Sequence, residues 1–218
     1  MSDQAFDFII GGIEDGMIDA LWQAVGRRKV DDIDVGYVKK IDSYGGELDS
    51  AKLREALSSL TPQLPLMLVS YADGDDTLDP AVVSHNGSPR FYRHDCTFTV
   101  ICCSGNARGE KARRRGATGA VGIYKMISDV RTVLGGLGIM AVLGTDSFLL
   151  NSEPLRFAGV EYITRLTDLT AYAVHFETWF RLGEPDRSQP GQLVHEVVFD
   201  VQNTFEKGES NLPGVFLG

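Results

Sequence analysis

The fold of this chain is decided by residues 91–134, which read FYRHDCTFTVICCSGNARGEKARRRGATGAVGIYKMISDVRTVL. The first part alternates as a β-strand does, with successive side chains pointing to opposite faces of a sheet. One face of the predicted strand carries Cys96, Phe98, Val100 and Cys102, and the other carries Thr97, Thr99, Ile101 and Cys103. The strand is predicted to end at Ser104-Gly105-Asn106, because these residue types favour turns.

A dense cationic run follows the predicted strand. Residues 108–116 read RGEKARRRG, in an otherwise acidic sequence, and apolar residues then recur at helical spacing from Ile123 to Leu134. We expect the strand and helix to pack together and to hold the charged segment out as a loop. Cations near a helix N-terminus are disfavoured by the helix dipole. The run therefore indicates either an acidic partner or carboxylates of the same chain.

The candidate contact residues in this run are all cationic, and we expect the three consecutive arginines to be exposed. They are Arg108, Lys111, Arg113, Arg114 and Arg115.

Patterns in the rest of the chain predict an α+β fold. The predicted elements are a helix over 6–25, a strand over 33–41, a helix over 50–60, a strand over 66–71, a polar connection to residue 90 with a brief hairpin at Asn86-Gly87, a loop with a short strand over 140–149, a hairpin of strands 157–166 and 169–182, and a further strand over 193–201. Strands joined by such short connections pair antiparallel. We therefore expect an antiparallel sheet of about four to five strands with helices packed on one face.

The predicted domain organisation is a single α+β domain over residues 1–182 and a C-terminal extension over 183–218. In the first helix, Gly11, Gly12 and Gly16 weaken the helix by roughly 1 kcal/mol each relative to alanine. They are explained if another element packs closely against that helix.

Composition and charge exclude several classes of protein. Lys+Arg 21 against Asp+Glu 30 gives a net charge of -9, which argues against general affinity for nucleic acid. Three cysteines without framework spacing fit a reducing compartment. The first residues lack the basic segment of a signal peptide, and no apolar run approaches the ~20 residues of a membrane span. We expect a cytoplasmic protein that does not associate with membranes.

Candidate catalytic and metal-binding residues are few. His94 and Cys96 share a predicted strand face with Cys102, which leaves a cytoplasmic enzyme with a Cys/His pair as an alternative function. Buried free cysteines are the favoured interpretation, because no glycine-rich elbow follows to activate a thiol. Cys103, on the other face, is expected to be more accessible.

Metal and cofactor sites are not expected. The histidines stand singly, and the aspartates of segment 73–79 lack the downstream glutamate of a calcium loop, so a solvated acidic loop is predicted. A nucleic-acid-binding module that uses residues 108–116 is a further alternative.

Four segments of the sequence resemble the tail-terminator family of Mu-like bacteriophages and prophages. In that family a strand leads into an Asn-x-Arg-Gly-Glu turn, followed by a Gly-(Val/Ile)-Tyr helix and an aspartate–arginine pair. The matching segments here are residues 98–106, 108–116, 122–131 and 171–178, and the resemblance extends over residues 5–182.

This resemblance implies a non-enzymatic structural protein of the virion. It would cap the completed tail tube, end its polymerisation and provide the joining surface to the head–tail connector. The resemblance also implies a hexameric ring at the head-proximal end of the tail, in the neck, assembled in the host bacterial cytoplasm. The expected partners are other copies of this chain, the tail tube protein and the connector protein, with the sheath protein as a further candidate. DNA would pass through the acidic ring without specific binding.

Overall fold

The computed structural model describes residues 3–44, 63–78, 91–105, 109–118, 120–143, 146–165 and 169–183. The helices in these ranges are α1 (Asp3–Val25), α2 (Glu110–Arg115) and α3 (Ile123–Leu134). The strands are β1 (Arg28–Val30), β2 (Ile33–Val35), β3 (Lys40–Ser43), β4 (Leu66–Leu78), β5 (Phe91–Gly105), β6 (Met140–Leu143), β7 (Asp146–Leu149), β8 (Arg156–Arg165) and β9 (Leu169–Gly183).

A five-stranded sheet organises these elements, in the order β3-β4-β5-β9-β8. Its centre is the antiparallel pair β5–β9, which runs in unbroken register from Phe91↔Gly183 to Gly105↔Leu169. β4 and β8 are also antiparallel to their neighbours, and β3 alone runs parallel to the strand beside it. The α+β fold with a five-stranded, mainly antiparallel sheet is therefore confirmed.

Helices α1 and α3 pack on one face of the sheet and against each other. The buried side chains of α3 are Ile123, Met126, Val130 and Leu134, and they share one core with the face of β5 that carries Cys96, Phe98, Val100 and Cys102. A smaller apolar cluster lies on the opposite face, where β4, β5 and β9 contribute Leu66, Leu68, Ile101, Cys103 and Ala171. The alternation predicted from the sequence thus places apolar side chains of β5 on both faces of the sheet.

Gly12 and Gly16 of α1 permit close packing, as the sequence predicts, whereas Gly11 has open space around it. A Cβ atom on Gly12 would collide with the side chain of Leu150, and one on Gly16 would collide with Ile139. Leu150 and Ile139 are both buried, and a backbone hydrogen bond joins Leu150 N–H to the Ile139 carbonyl at 2.8 Å. The segments flanking the small β6–β7 sheet are therefore held against the helix.

Two predictions about strand boundaries are wrong. Residues 33–41 do not form one strand, because Gly36 adopts a φ of 72° between β2 and β3. A side chain at Gly36 would strike the backbone of Val25 and Gly26, so the chain turns sharply beside the end of α1. The segment over 140–149 is also more regular than predicted, since β6 and β7 form an antiparallel pair.

The acidic segment after Tyr71 is not a loop. β4 continues through Asp73, Asp75 and Asp76 to Leu78 and stays paired with β5, after a register shift between Tyr71 and Asp73. β5 provides backbone partners along this whole length, so the aspartates are accommodated within a strand. The prediction of a solvated acidic loop is therefore wrong.

Several sequence predictions fall outside the described residues. They are the helix over 50–60, the hairpin at Asn86-Gly87, the strand over 193–201 and the C-terminal extension. Within the described helices, none is long and apolar enough to cross a membrane.

Candidate docking surface

The cationic run forms a short helix, α2, and not the loop predicted from the sequence. α2 lies between Gly109 and Gly116, whose φ values are 99° and 88°, and Gly116 N–H donates to the Ala112 carbonyl at 2.8 Å. A Cβ atom on Gly122 would collide with the backbone of Arg115 and Gly116. Glycine at these positions therefore lets α2 end directly against the start of α3.

The cationic side chains of α2 do not share one environment. Lys111 and Arg115 are exposed, whereas Arg113 is 4% exposed and faces the protein interior. The prediction that all three consecutive arginines are exposed is wrong for Arg113, because α2 packs one face against β5 and β9. Arg108 lies outside the described residues.

Arg114 is half-exposed and already has partners within the chain. Its Nε lies 3.5 Å from a carboxylate oxygen of Glu110, and its Nη1 donates to the Tyr124 hydroxyl at 3.5 Å. The hydrogen bond to Tyr124 raises the pKa of Arg114 above its ordinary value. Arg114 thus ties α2 to the first turn of α3.

The helix-dipole argument made from the sequence is also corrected. Arg113, Arg114 and Arg115 occupy the last turn of α2, not the first turn of the following helix. Cations in a last turn are favoured by the helix dipole. The arginines therefore do not by themselves require an outside partner, and any docking role rests on the exposed side chains.

The pairing of a thiol with His94, which the enzyme alternative requires, is not formed. The Nδ1 of His94 lies 2.7 Å from the Asp76 carboxylate, and its Nε2 lies 3.2 Å from the Tyr71 hydroxyl. Both ring nitrogens are therefore engaged away from Cys96, whose Sγ donates to the Thr178 carbonyl at 3.5 Å. Gly74 is needed beside this cluster, since a Cβ there would strike the His94 ring and the Tyr71 hydroxyl.

All three cysteines are buried and unbridged. Burial raises the pKa of Cys96 and of Cys103 to about 12, and that of Cys102 also rises, because the charged thiolate is disfavoured away from water. The prediction that Cys103 is more accessible is wrong: it lies in the apolar cluster on the second face of the sheet. Thiols in such surroundings are poor nucleophiles at neutral pH.

The remaining histidines show no catalytic arrangement in the part of the chain that the structure describes. His175 Nδ1 lies 2.9 Å from the Thr99 hydroxyl, and its Nε2 lies 3.6 Å from Glu161. His85 and His195 fall outside the described ranges. Among the described residues, no group of three His, Cys, Asp or Glu side chains could hold a metal ion.

A groove that the sequence did not predict lies between α3 and β8, and we call it the α3–β8 groove. Its lining residues are Tyr124, Ile127, Ser128, Arg131, Thr132 and Phe157. The Arg131 guanidinium sits over the Phe157 ring, 4.1 Å from the centroid. Val160 and Tyr162 of β8 are also exposed, at 42% and 50%.

The groove exists because α3 packs on β5 and β9, whereas β8 is the edge strand of the sheet. Sequence periodicity could not reveal it, since its two walls are about thirty residues apart in the chain. Apolar surface of this kind, edged by polar residues, is typical of protein–protein contacts.

Comparison with known proteins identifies the family. The sequence model of the family described as "Bacteriophage Mu, Gp37" matches residues 9–181. No curated protein matches the sequence. One solved chain, from the structure titled "Virion of native gene transfer agent (GTA) particle", aligns with a TM-score of 0.36 at 15% identity, over 81% of this chain and 98% of that chain.

Proposed function

This chain belongs to the bacteriophage Mu Gp37 family, and from that membership we propose that it is a structural protein of the phage tail. The observation that carries the proposal is the extent of the family match, which includes almost all of the described residues. The segments that resemble tail terminators lie within the match. Most of their residues belong to one continuous unit, β5, α2 and α3.

In detail, the protein caps the completed tail tube, ends its polymerisation and provides the joining surface to the head–tail connector. It acts as a hexameric ring at the head-proximal end of the tail. Its partners are the neighbouring subunits, the tube protein and the connector protein, with the sheath protein as a further candidate. The net charge of -9 suits a ring through which DNA passes without adhering.

The exposed cations of α2 are proposed to contact an acidic partner, either the next subunit or the tube. Lys111 and Arg115 carry this role, with Arg114 beside them and Arg108 as a further candidate. Arg113 is excluded because it is buried. The rigid connection of α2 to α3 supports the proposal, since it fixes the position of the exposed cations.

The alternative functions receive less support. An enzyme with a Cys/His pair would need His94 to face a thiol, but both of its ring nitrogens are engaged by Asp76 and Tyr71. A nucleic-acid-binding role for α2 would rest on two exposed cations and a partly exposed third in an acidic protein.

Deletion of the gene in its phage tests the proposed function. We expect tails of uncontrolled length that do not join heads, and restoration of both properties by the purified protein. A Lys111→Ala/Arg115→Ala protein should be as stable as the wild type, because exposed charges contribute little to stability. This double variant should restore joining less well, and its deficit should grow with salt. Normal tails and normal joining in the deletion phage would overturn the proposal.

A further inference from the structure

The β1–β2 hairpin, residues Arg28–Val35, presents an apolar tip to solvent. Val30 and Ile33 are cross-strand partners at its end and are 43% and 66% exposed. Asp31 and Asp32 form the two-residue turn between them, with φ values of 49° and 63°, as the twist of a tight hairpin requires. The tip is therefore a pair of apolar side chains beside an acidic turn.

The base of this hairpin is firmly held. Arg28 donates to the Trp22 carbonyl at 2.8 Å, and the N–H groups of Tyr37 and Val38 both donate to the Val25 carbonyl, at 2.9 and 3.0 Å. An isolated two-stranded hairpin is at best marginally stable in water. Here the hydrogen bonds to the end of α1 stabilise the hairpin, so its tip is exposed in a defined position.

The segment that follows the hairpin and the α3–β8 groove lie on opposite flanks of α3. Tyr37, two residues after the hairpin, donates to the Asp129 carboxylate at 2.7 Å. With 3.6 residues per turn, Asp129 lies about a quarter turn to one side of the buried stripe of α3, and the groove residues Tyr124 and Arg131 lie about a quarter turn to the other. The base of the hairpin is thus held on the side of α3 opposite the groove of its own chain.

The two surfaces match in polarity and charge. The groove combines aromatic and aliphatic walls with the Arg131 guanidinium, and Arg114 lies at its Tyr124 end. The hairpin combines Val30 and Ile33 with the carboxylates of its turn. Apolar side chains could enter the groove while the aspartates meet the arginines at its rim, which also favours one orientation.

We infer that the tip of the β1–β2 hairpin inserts into the α3–β8 groove of a second copy of this chain. This inference rests on the proposed ring, since it names the contact between neighbouring subunits. Different surfaces of the two copies meet, so the interface is heterologous, and repetition of such a contact closes into a ring when the rotation between subunits permits.

Crosslinking tests the contact directly. A chain with Ile33→Cys is mixed with a chain with Ile127→Cys and treated with a short thiol crosslinker. The native cysteines are buried and should react slowly. We expect covalent dimers in the mixture and not in either chain alone. The same crosslinking with Met140→Cys in place of Ile33→Cys is the control, since Met140 is similarly exposed, at 57%, on the other small hairpin.

Self-association of variants with one disabled surface each is a second, independent test of the contact. Ile33→Asp should disable the hairpin, and Ile127→Asp should disable the groove, each weakening self-association by about tenfold or more. A mixture of the two retains one intact contact per pair and should stop at a one-to-one dimer. Met140→Asp should assemble as the wild type does.

The outcomes distinguish this inference from the proposed function. If Ile33→Asp still forms rings on tails and no Ile33–Ile127 crosslink appears, the inference is overturned and the tail function stands. If the crosslink forms but the protein is absent from tails, the contact is real and the tail function fails.

Discussion

Truncation of Arg113 is the substitution that best separates the structural from the docking role of the cationic run. Arg113 is 4% exposed, whereas Arg115, two positions later on the same short helix, is exposed. Arg113→Ala removes two methylene groups, Cγ and Cδ, and the guanidinium from a packed environment. At roughly 0.8 kcal/mol for each buried methylene, the loss is about 1.6 kcal/mol of unfolding free energy.

Arg115→Ala is the matched control, because it removes the same side-chain atoms from a position that is exposed to solvent. Surface substitutions of this kind change stability by less than about 0.5 kcal/mol. Arg113→Met is a second control, since it keeps most of the apolar stem and removes only the charge. If packing of the stem is the main contribution, Arg113→Met should recover most of the stability that Arg113→Ala loses.

Urea unfolding of the three variants measures these differences. In a thermal melt, the loss of about 1.6 kcal/mol should lower the melting temperature by about 3–6 °C for a domain of this size. The reasoning is refuted if Arg113→Ala unfolds as the wild type does. It is refuted equally if Arg115→Ala is the more destabilising of the two substitutions.

Four further tests address the packing of the protein. Gly16→Ala should destabilise the protein because its Cβ meets Ile139, whereas Gly11→Ala, with open space around it, should stabilise it by up to about 1 kcal/mol; thermal melts compare the pair. Tyr37→Phe should lower the unfolding free energy by about 1 kcal/mol through loss of the hydrogen bond to Asp129, measured in urea, and equal stability would show that the bond contributes nothing. The native thiols should react slowly with a thiol reagent at neutral pH and rapidly in denaturant, and fast stoichiometric labelling of the folded protein would contradict their burial. Burial raises the pKa of two of these thiols from about 9 to about 12, so their contribution to stability is complete below pH 9 and is lost as the pH rises towards 12.

The sequence predicted the central layers because their apolar patterns are long and consistent. β5, β9 and α3 each contribute one regular apolar face to the main core, and their residues were placed correctly from periodicity alone. The second half of β4 was missed because its side chains are acidic and exposed. Its strand conformation depends on backbone pairing with β5. This pairing cannot be predicted from the side chains of β4 alone.

The candidate site was predicted only in part, for reasons of the same kind. The cationic run was found by its charge, but the burial of Arg113 depends on how α2 turns against β5 and β9. The β1–β2 hairpin was missed because most of its side chains are exposed on both faces, so its sequence lacks alternation. The α3–β8 groove combines residues from two distant elements, and only the folded chain brings Arg131 over Phe157.

Electron cryomicroscopy of purified tails from the phage tests the central claim most directly. The account predicts a hexameric ring of this chain at the head-proximal end of the tail tube. Within that ring, the β1–β2 hairpin of each subunit should lie in the α3–β8 groove of the next. Tails that end in the tube protein alone, or that carry this chain at the distal end, would contradict the account.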